Sequence, residues 1–255
     1  MVLMKNAKEE KKMKKWLVIL LLFWAVPAIA ADIAFQPGMT QQFFKDFSKD
    51  AAGVLLYRAV APAEPLGLTG FDIGVEMTAT SMDNAKGYLK KAFKDQSPPS
   101  YIYAPKIHAQ KGLPFGFDVG LVYSEIPGTN IQYIGGEVKY AIISGGVLWP
   151  AVAIRGSYTQ LMGVNELDFK TYGLEAVASK GFGVGIKVIP YASIGQHWAD
   201  SSPKNLPSGI QLSNESLSVT RFAVGAKLQF LLFAVTAEAD YVQVPSYTLR
   251  AGLSW

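Results

Sequence analysis

The sequence predicts an all-β protein, an up-and-down antiparallel transmembrane β-barrel of about ten strands with a short N-terminal amphipathic helix. From Leu68 onward, ten segments of roughly ten residues alternate apolar and polar side chains, the period of a strand with two unlike faces. The connections between them alternate between short and longer, as a meander with two unlike ends requires. Aromatic residues collect near both ends of the segments. Tyr101, Tyr123, Tyr158, Trp198 and Tyr247 fall towards the longer loops, and Phe115, Trp149, Phe230, Phe233 and Trp255 towards the shorter turns. Eight or twelve strands remain open as alternatives.

The chain opens with Lys5, Lys8, Lys11, Lys12, Lys14 and Lys15, continues with the apolar run Trp16 to Val26, and reaches Ala28-Ile29-Ala30. A basic start, an apolar middle and a small-x-small end have the layout of a secretory signal peptide, expected to be cleaved near Ala30. The apolar run is shorter than the roughly 20 residues that a membrane-spanning helix needs. Residues 1–30 hold six of the 24 basic and two of the 20 acidic residues, so the remainder carries 18 of each. The high isoelectric point therefore belongs to the leader and gives no support for nucleic-acid binding.

Between the leader and the strands, Phe43, Phe44, Phe47, Ala51 and Val54 recur at helical spacing among Lys45, Asp46, Lys49 and Asp50. Residues 31–66 are expected to form a periplasmic or plug segment with this helix, packed under or into the barrel. Residues 53–61 could be read as an eleventh strand, but that would put one end of the barrel on the wrong side, so they are placed after, or within, this helix. A second short helix is expected over 86–94, in the long connection 81–100.

Strand by strand, Phe71, Ile73, Val75 and Met77 oppose Asp72, Glu76 and Thr78. Phe115, Phe117, Val119, Leu121 and Tyr123 oppose Gly116, Asp118, Gly120 and Ser124. Weaker alternation covers 101–110, 131–143, 151–160, 169–180 and 184–198. The hairpin at 221–241 sets Phe222, Val224, Ala226, Leu228 and Phe230, then Phe233, Val235, Ala237, Ala239 and Tyr241, against Arg221, Lys227, Glu238 and Asp240. Connections follow at 81–100, 111–114, 126–130, 144–148, 161–167, 181–183 and 199–214.

The closing segment places Tyr247, Leu249, Ala251, Leu253 and Trp255 on one face and ends on an aromatic residue. It resembles the C-terminal assembly signal of Gram-negative outer-membrane proteins. That resemblance implies a bacterial outer-membrane location, with lipids and the barrel assembly machinery as partners. Pro62-Ala63-Glu64-Pro65-Leu66-Gly67 with Gly70 to Glu76 also resembles a segment of uncharacterised proteobacterial outer-membrane proteins, and brings no function with it. Residues 67–255 are the expected barrel domain.

If the apolar faces meet lipid, the lumen receives Asp72, Glu76, Lys106, His108, Asp118, Glu137, Lys139, Arg155, Glu175, Lys187, Arg221, Lys227, Glu238, Asp240 and Arg250. Two readings of this nearly balanced set stay open. One is an ion-pair network filling a narrow interior, and the other is a narrow, porin-like channel for ions or small solutes. A surface hydrolase of the protease or lipid-modifying kind and a secreted soluble β-protein with its apolar face inward are the rival classes. For a hydrolase, His197 with Asp200 and Ser201 is the nearest approach to a general base and its orienting carboxylate. His108 is expected near a short turn and His197 near an outer rim, too far apart to act together. Neither Gly-x-Ser-x-Gly nor His-Glu-x-x-His occurs, the glycines lie in strand alternation and not in a phosphate loop, and the EF-hand pattern is missing. Without cysteine, thiol catalysis and zinc-thiolate sites are excluded. No catalytic residue, cofactor or metal is expected.

Overall fold

The computed structural model describes residues 32–82, 86–93 and 100–255, so the expected signal peptide and parts of the loop 81–100 lie outside the described residues. Ten antiparallel strands close on themselves, each bonded to its sequence neighbours and β1 to β10. They are β1 (Phe71–Ser81), β2 (Tyr101–Gly112), β3 (Phe117–Glu125), β4 (Gln132–Ser144), β5 (Ala151–Met162), β6 (Leu167–Ser179), β7 (Ile186–Pro203), β8 (Glu215–Phe230), β9 (Phe233–Tyr241) and β10 (Pro245–Ser254). The seam pairs Glu76 with Arg250 and Ile73 with Leu253, and Trp255 stacks on Phe71 at 5.4 Å between ring centroids. Closure removes the two unpaired edges that an open sheet would expose.

Alternation does what a barrel of this size needs, because successive Cβ atoms point in and out. Asp72, Glu76 and Thr78 are buried inside β1, whereas Ile107, Leu121, Leu174, Ile194, Val224 and Leu249 stand on the exposed outer face. A soluble barrel with its apolar face inward is therefore the opposite of the arrangement found. β4 carries a bulge between Ala141 and Ile143.

The loop lengths differ from expectation in one respect. One end carries 82–100, 126–131, 163–166, 204–214 and 242–244, and the other carries 113–116, 145–150, 180–185 and 231–232. The long connections are 82–100 and 204–214, as expected, whereas the connection expected among the longer ones at 161–167 spans only 163–166 and closes as tightly as the turns at the opposite end.

The helix α1 (Gln41–Leu55) starts at Thr40, whose hydroxyl accepts a hydrogen bond from the Phe43 backbone N–H at 3.2 Å. A side chain that satisfies one of the unpaired first-turn donors fixes where the helix begins. Its apolar stripe of Phe44, Phe47, Ala51, Val54 and Leu55 is buried, and Phe35 meets Phe44 and Phe47 edge-on at 5.5 and 5.8 Å. α1 stands at the long-loop end. Gln41 bonds Ser213 and Glu215, Asp50 accepts from Lys86 and Tyr88, and Ile33 bonds Asn130. Of the two expected positions, under or into the barrel, the helix takes the second, packed onto inward-facing residues at the long-loop end. The second helix, α2, is a single turn at Leu89–Ala92 within the expected range.

Beneath α1 the inward residues are apolar: Ile102, Tyr133, Leu161, Leu167, Phe169 and Val219 join one cluster with the helix. Residues 56–66 then run down through the lumen to the short-turn end, where β1 begins.

Candidate functional site

The charged half of the lumen and the segment crossing it form one built site. Lys106 meets Glu76 at 2.8 Å, Lys139 meets Asp118 at 2.8 Å, and Arg155 meets Glu175 at 2.9 Å and Glu137 at 3.8 Å. Arg221 joins Glu175 and Glu238, both at 2.6 Å, and Asp240 at 3.4 Å. Lys227 and Arg250 hold opposite oxygens of Asp72 at 2.7 and 2.5 Å. Burying a charge is costly unless an opposite charge and hydrogen bonds replace its water, and here the cations meet carboxylates both on neighbouring strands and across the lumen, as Lys227 of β8 does with Asp72 of β1. Of the expected lumen residues, Lys187 differs: it lies on the inward register of β7 but is exposed at the short-turn mouth, beside a cavity of about 190 Å³ shared with Lys139 and Lys227.

Residues 56–66 are threaded through this network. Arg58 forks onto Asp240 and also donates to Ser246 and the Gly53 carbonyl. Arg250 donates to the Ala59 carbonyl, Arg155 to Ala61, and Lys139 to Pro62 and Glu64, while Ser179 accepts from Ala63 N–H and Asp118 from Leu66 N–H. A stretch without a partner strand must have its backbone groups satisfied from elsewhere, and the barrel's inward side chains do this. Tyr57 fits because β3 has Gly120 opposite it: a Cβ there would lie 2.7 Å from the Tyr57 oxygen. Val60 sits at φ 46°, a left-handed backbone that disfavours a β-branched residue.

His108 is fully buried, hydrogen-bonded through Nε2 to the Tyr57 hydroxyl at 3.0 Å and through Nδ1 to Glu76 at 3.3 Å. This Tyr57–His108–Glu76 chain has the order of a nucleophile relay, but it is sealed from solvent and joins the crossing segment to β1 and β2. His197 is also buried inside the barrel and not at a rim. Its ring nitrogens have no hydrogen-bond partner among the described residues. Asp200 lies on the exposed outer face, where it accepts from Ser216, and Ser201 bonds Ser48 of α1, so no base and carboxylate are paired there. Among the described residues no cluster of three or more His, Asp or Glu could hold a metal ion.

Reading the sequence missed Tyr57, Arg58 and the apolar upper lumen. The one available signal was Arg58 itself, a cation in an otherwise apolar stretch from Gly53 to Ala63.

No protein-family model matches the chain, and no curated protein matches it. Among solved structures it is similar to the crystal structure of Neisserial surface protein A, at 11% identity over 73% of this chain and 96% of that one, with a TM-score of 0.34. It is also similar to Ail, the attachment invasion locus protein of Yersinia pestis, at 18% identity over 73% and 97%, with a TM-score of 0.31. Likenesses of this size carry no argument, and the ten-stranded barrel stands on its own strand pairing. On the outer face of β10, Tyr247, Leu249, Leu253 and Trp255 are exposed and Ala251 is half-buried.

Proposed function

We propose that this chain is a bacterial outer-membrane barrel kept shut by its own N-terminal segment, a structural barrel that presents a helix at its long-loop end and not an open porin. The observation that carries this reading is the course of residues 56–66 through the lumen, with their backbone groups bonded to Arg155, Lys139, Arg250, Ser179 and Asp118. The membrane location rests on the outer face, where large apolar side chains stand exposed on every strand, over charges that are mostly buried and paired, the reverse of a water-soluble barrel. Export by a leader cleaved near Ala30, and engagement of the assembly machinery by the closing strand ending in Trp255, belong to the same reading.

The test is single-channel recording from the refolded chain in a planar bilayer. Silence from residues 31–255, with current steps after deletion of 31–66, supports the closed barrel. Sustained steps from the full chain would overturn it. The strain at Val60 favours a second reading, a channel that opens when the segment leaves the lumen, for which brief openings of the full chain are the mark.

A further inference from the structure

The four short turns at one end of the barrel are apolar at their tips. Phe115 is 92% exposed, Val147 95%, Val184 102% and Leu231 71%, with Leu148, Trp149, Phe182 and Leu232 also exposed. Together the turns 113–116, 145–150, 180–185 and 231–232 contain one charged side chain, Lys180. Exposed contiguous apolar surface of this kind marks contact with something other than water. Two of the tips, Phe115 at φ 63° and Leu231 at φ 54°, hold large side chains in a left-handed backbone where glycine or asparagine would be cheaper. That conformation keeps the apolar side chain outward at a cost.

The other end is built the opposite way. There the described loops carry Asn130, Asn165, Asn205 and Asn214 among Ser, Gln and Lys, and of their apolar residues Ile126, Ile131, Ile210, Val242 and Val244 are buried and Val164, Leu206 and Leu212 half-buried.

Several backbone groups at the apolar end are also bonded from within. Lys180 directs its ammonium at three carbonyls of the neighbouring turn, Gly146 and Val147 at 2.7 Å and Trp149 at 3.2 Å. Gln229 donates to the Ser254 carbonyl at 3.1 Å, and Ser254 N–H bonds Leu232 at 2.7 Å. In water such groups need no protein partner, whereas in lipid an unsatisfied one has no water to take the partner's place.

We infer that the short-turn end is sunk in the lipid leaflet, so that the turns, and not only the strands, lie among phospholipid acyl chains. This rests on the reading of the outer face as membrane-facing. The occupant is lipid and not a protein because the apolar tips run on without a break from the outer face, through Ile142 and Ile143, through Ile186 and Val188, and through Phe230 and Phe233, all exposed.

Past residue 30 the chain has three tryptophans, Trp149 in a short turn, Trp198 on the outer face of β7, and Trp255. The experiment reconstitutes W198F/W255F and W149F/W255F into phosphatidylcholine vesicles with brominated acyl chains, and separately into plain vesicles with iodide on both sides of the membrane. Trp149 is expected to lose most of its emission to the brominated chains and to resist iodide. If Trp198 is quenched by the brominated chains but Trp149 is open to iodide, the turns stand in water and the inference is overturned while the membrane reading survives. If neither is quenched by lipid, the membrane reading itself fails. Trp149 shielded from both reagents would mean a protein cover, such as a second copy, and would also overturn it. As a second measurement, the cysteine-free chain permits V147C as a unique thiol. It should resist a water-soluble maleimide in vesicles and react after unfolding, and equal rates in both states would count against lipid burial.

Discussion

Arg58 grips Asp240 through Nε and Nη2 at 2.9 and 3.2 Å, and neither side chain has any exposed surface. One residue belongs to the segment that crosses the lumen and the other to β9, so this pair fastens the crossing segment to the wall. Asp240 keeps a second cation in Arg221 at 3.4 Å.

Replacing Arg58 by alanine leaves a buried carboxylate short of its main partner, a change that typically costs about 3–5 kcal/mol. Urea unfolding in detergent should register R58A at that scale. R58A/D240A should recover part of the loss, because the stranded charge is gone, and a strictly additive double variant would show that the two residues do not act as a pair.

Tyr57→Phe removes the hydroxyl bonded to His108 Nε2 and leaves that nitrogen buried without a partner. Orphaning a buried polar group costs about 1–3 kcal/mol. The expected result is a loss of stability in that range together with a shift of the His108 imidazole ¹⁵N resonances. Unchanged resonances would place the tyrosine away from the histidine.

Gly173 on β6 faces His197, and a Cβ there would lie 2.4 Å from Nδ1 of the ring and 2.6 Å from the Ser157 hydroxyl oxygen. Overpacking of this kind costs about 1–3 kcal/mol. G173A should be destabilised, and G173A/H197A should be less destabilised than the sum of the two single variants. Additivity would mean that the ring is not what Gly173 makes room for.

The barrel was legible because strand alternation is a local signal. Asp72 and Glu76 on one side of β1, with Ile73 and Val75 on the other, fix which face is which once one face is known. The upper lumen was not legible for the same reason. Leu161, Leu167 and Phe169 share the inward register with Arg155 and Glu175, so the pattern changes character partway along β5 and β6 only because α1 covers that end. The course of residues 56–66 through the lumen was hidden more deeply. Their backbone partners Arg155, Lys139 and Asp118 are distant in sequence, and no local period announces a chain that pairs with side chains instead of strands. His197 was misplaced because its neighbours Asp200 and Ser201 are close along the strand, whereas the pleat turns Asp200 to the opposite face.

The membrane reading makes its own demand on the outer face. Leu174 lies midway along β6 and is exposed there, whereas Gln160 lies near the long-loop end of β5. An arginine at the lipid midplane of a barrel costs about 2–4 kcal/mol, falling to about 0–1 near the interface. Measured by reversible unfolding in vesicles, L174R should be destabilised by the larger amount and Q160R by the smaller. In a barrel surrounded by water both would be surface changes within about 0.5 kcal/mol of the parent. The depth dependence, more than either value alone, decides whether lipid or water bathes the strands, since a general intolerance of β6 to arginine would persist in detergent-free solution and would not scale with distance from the middle of the strand.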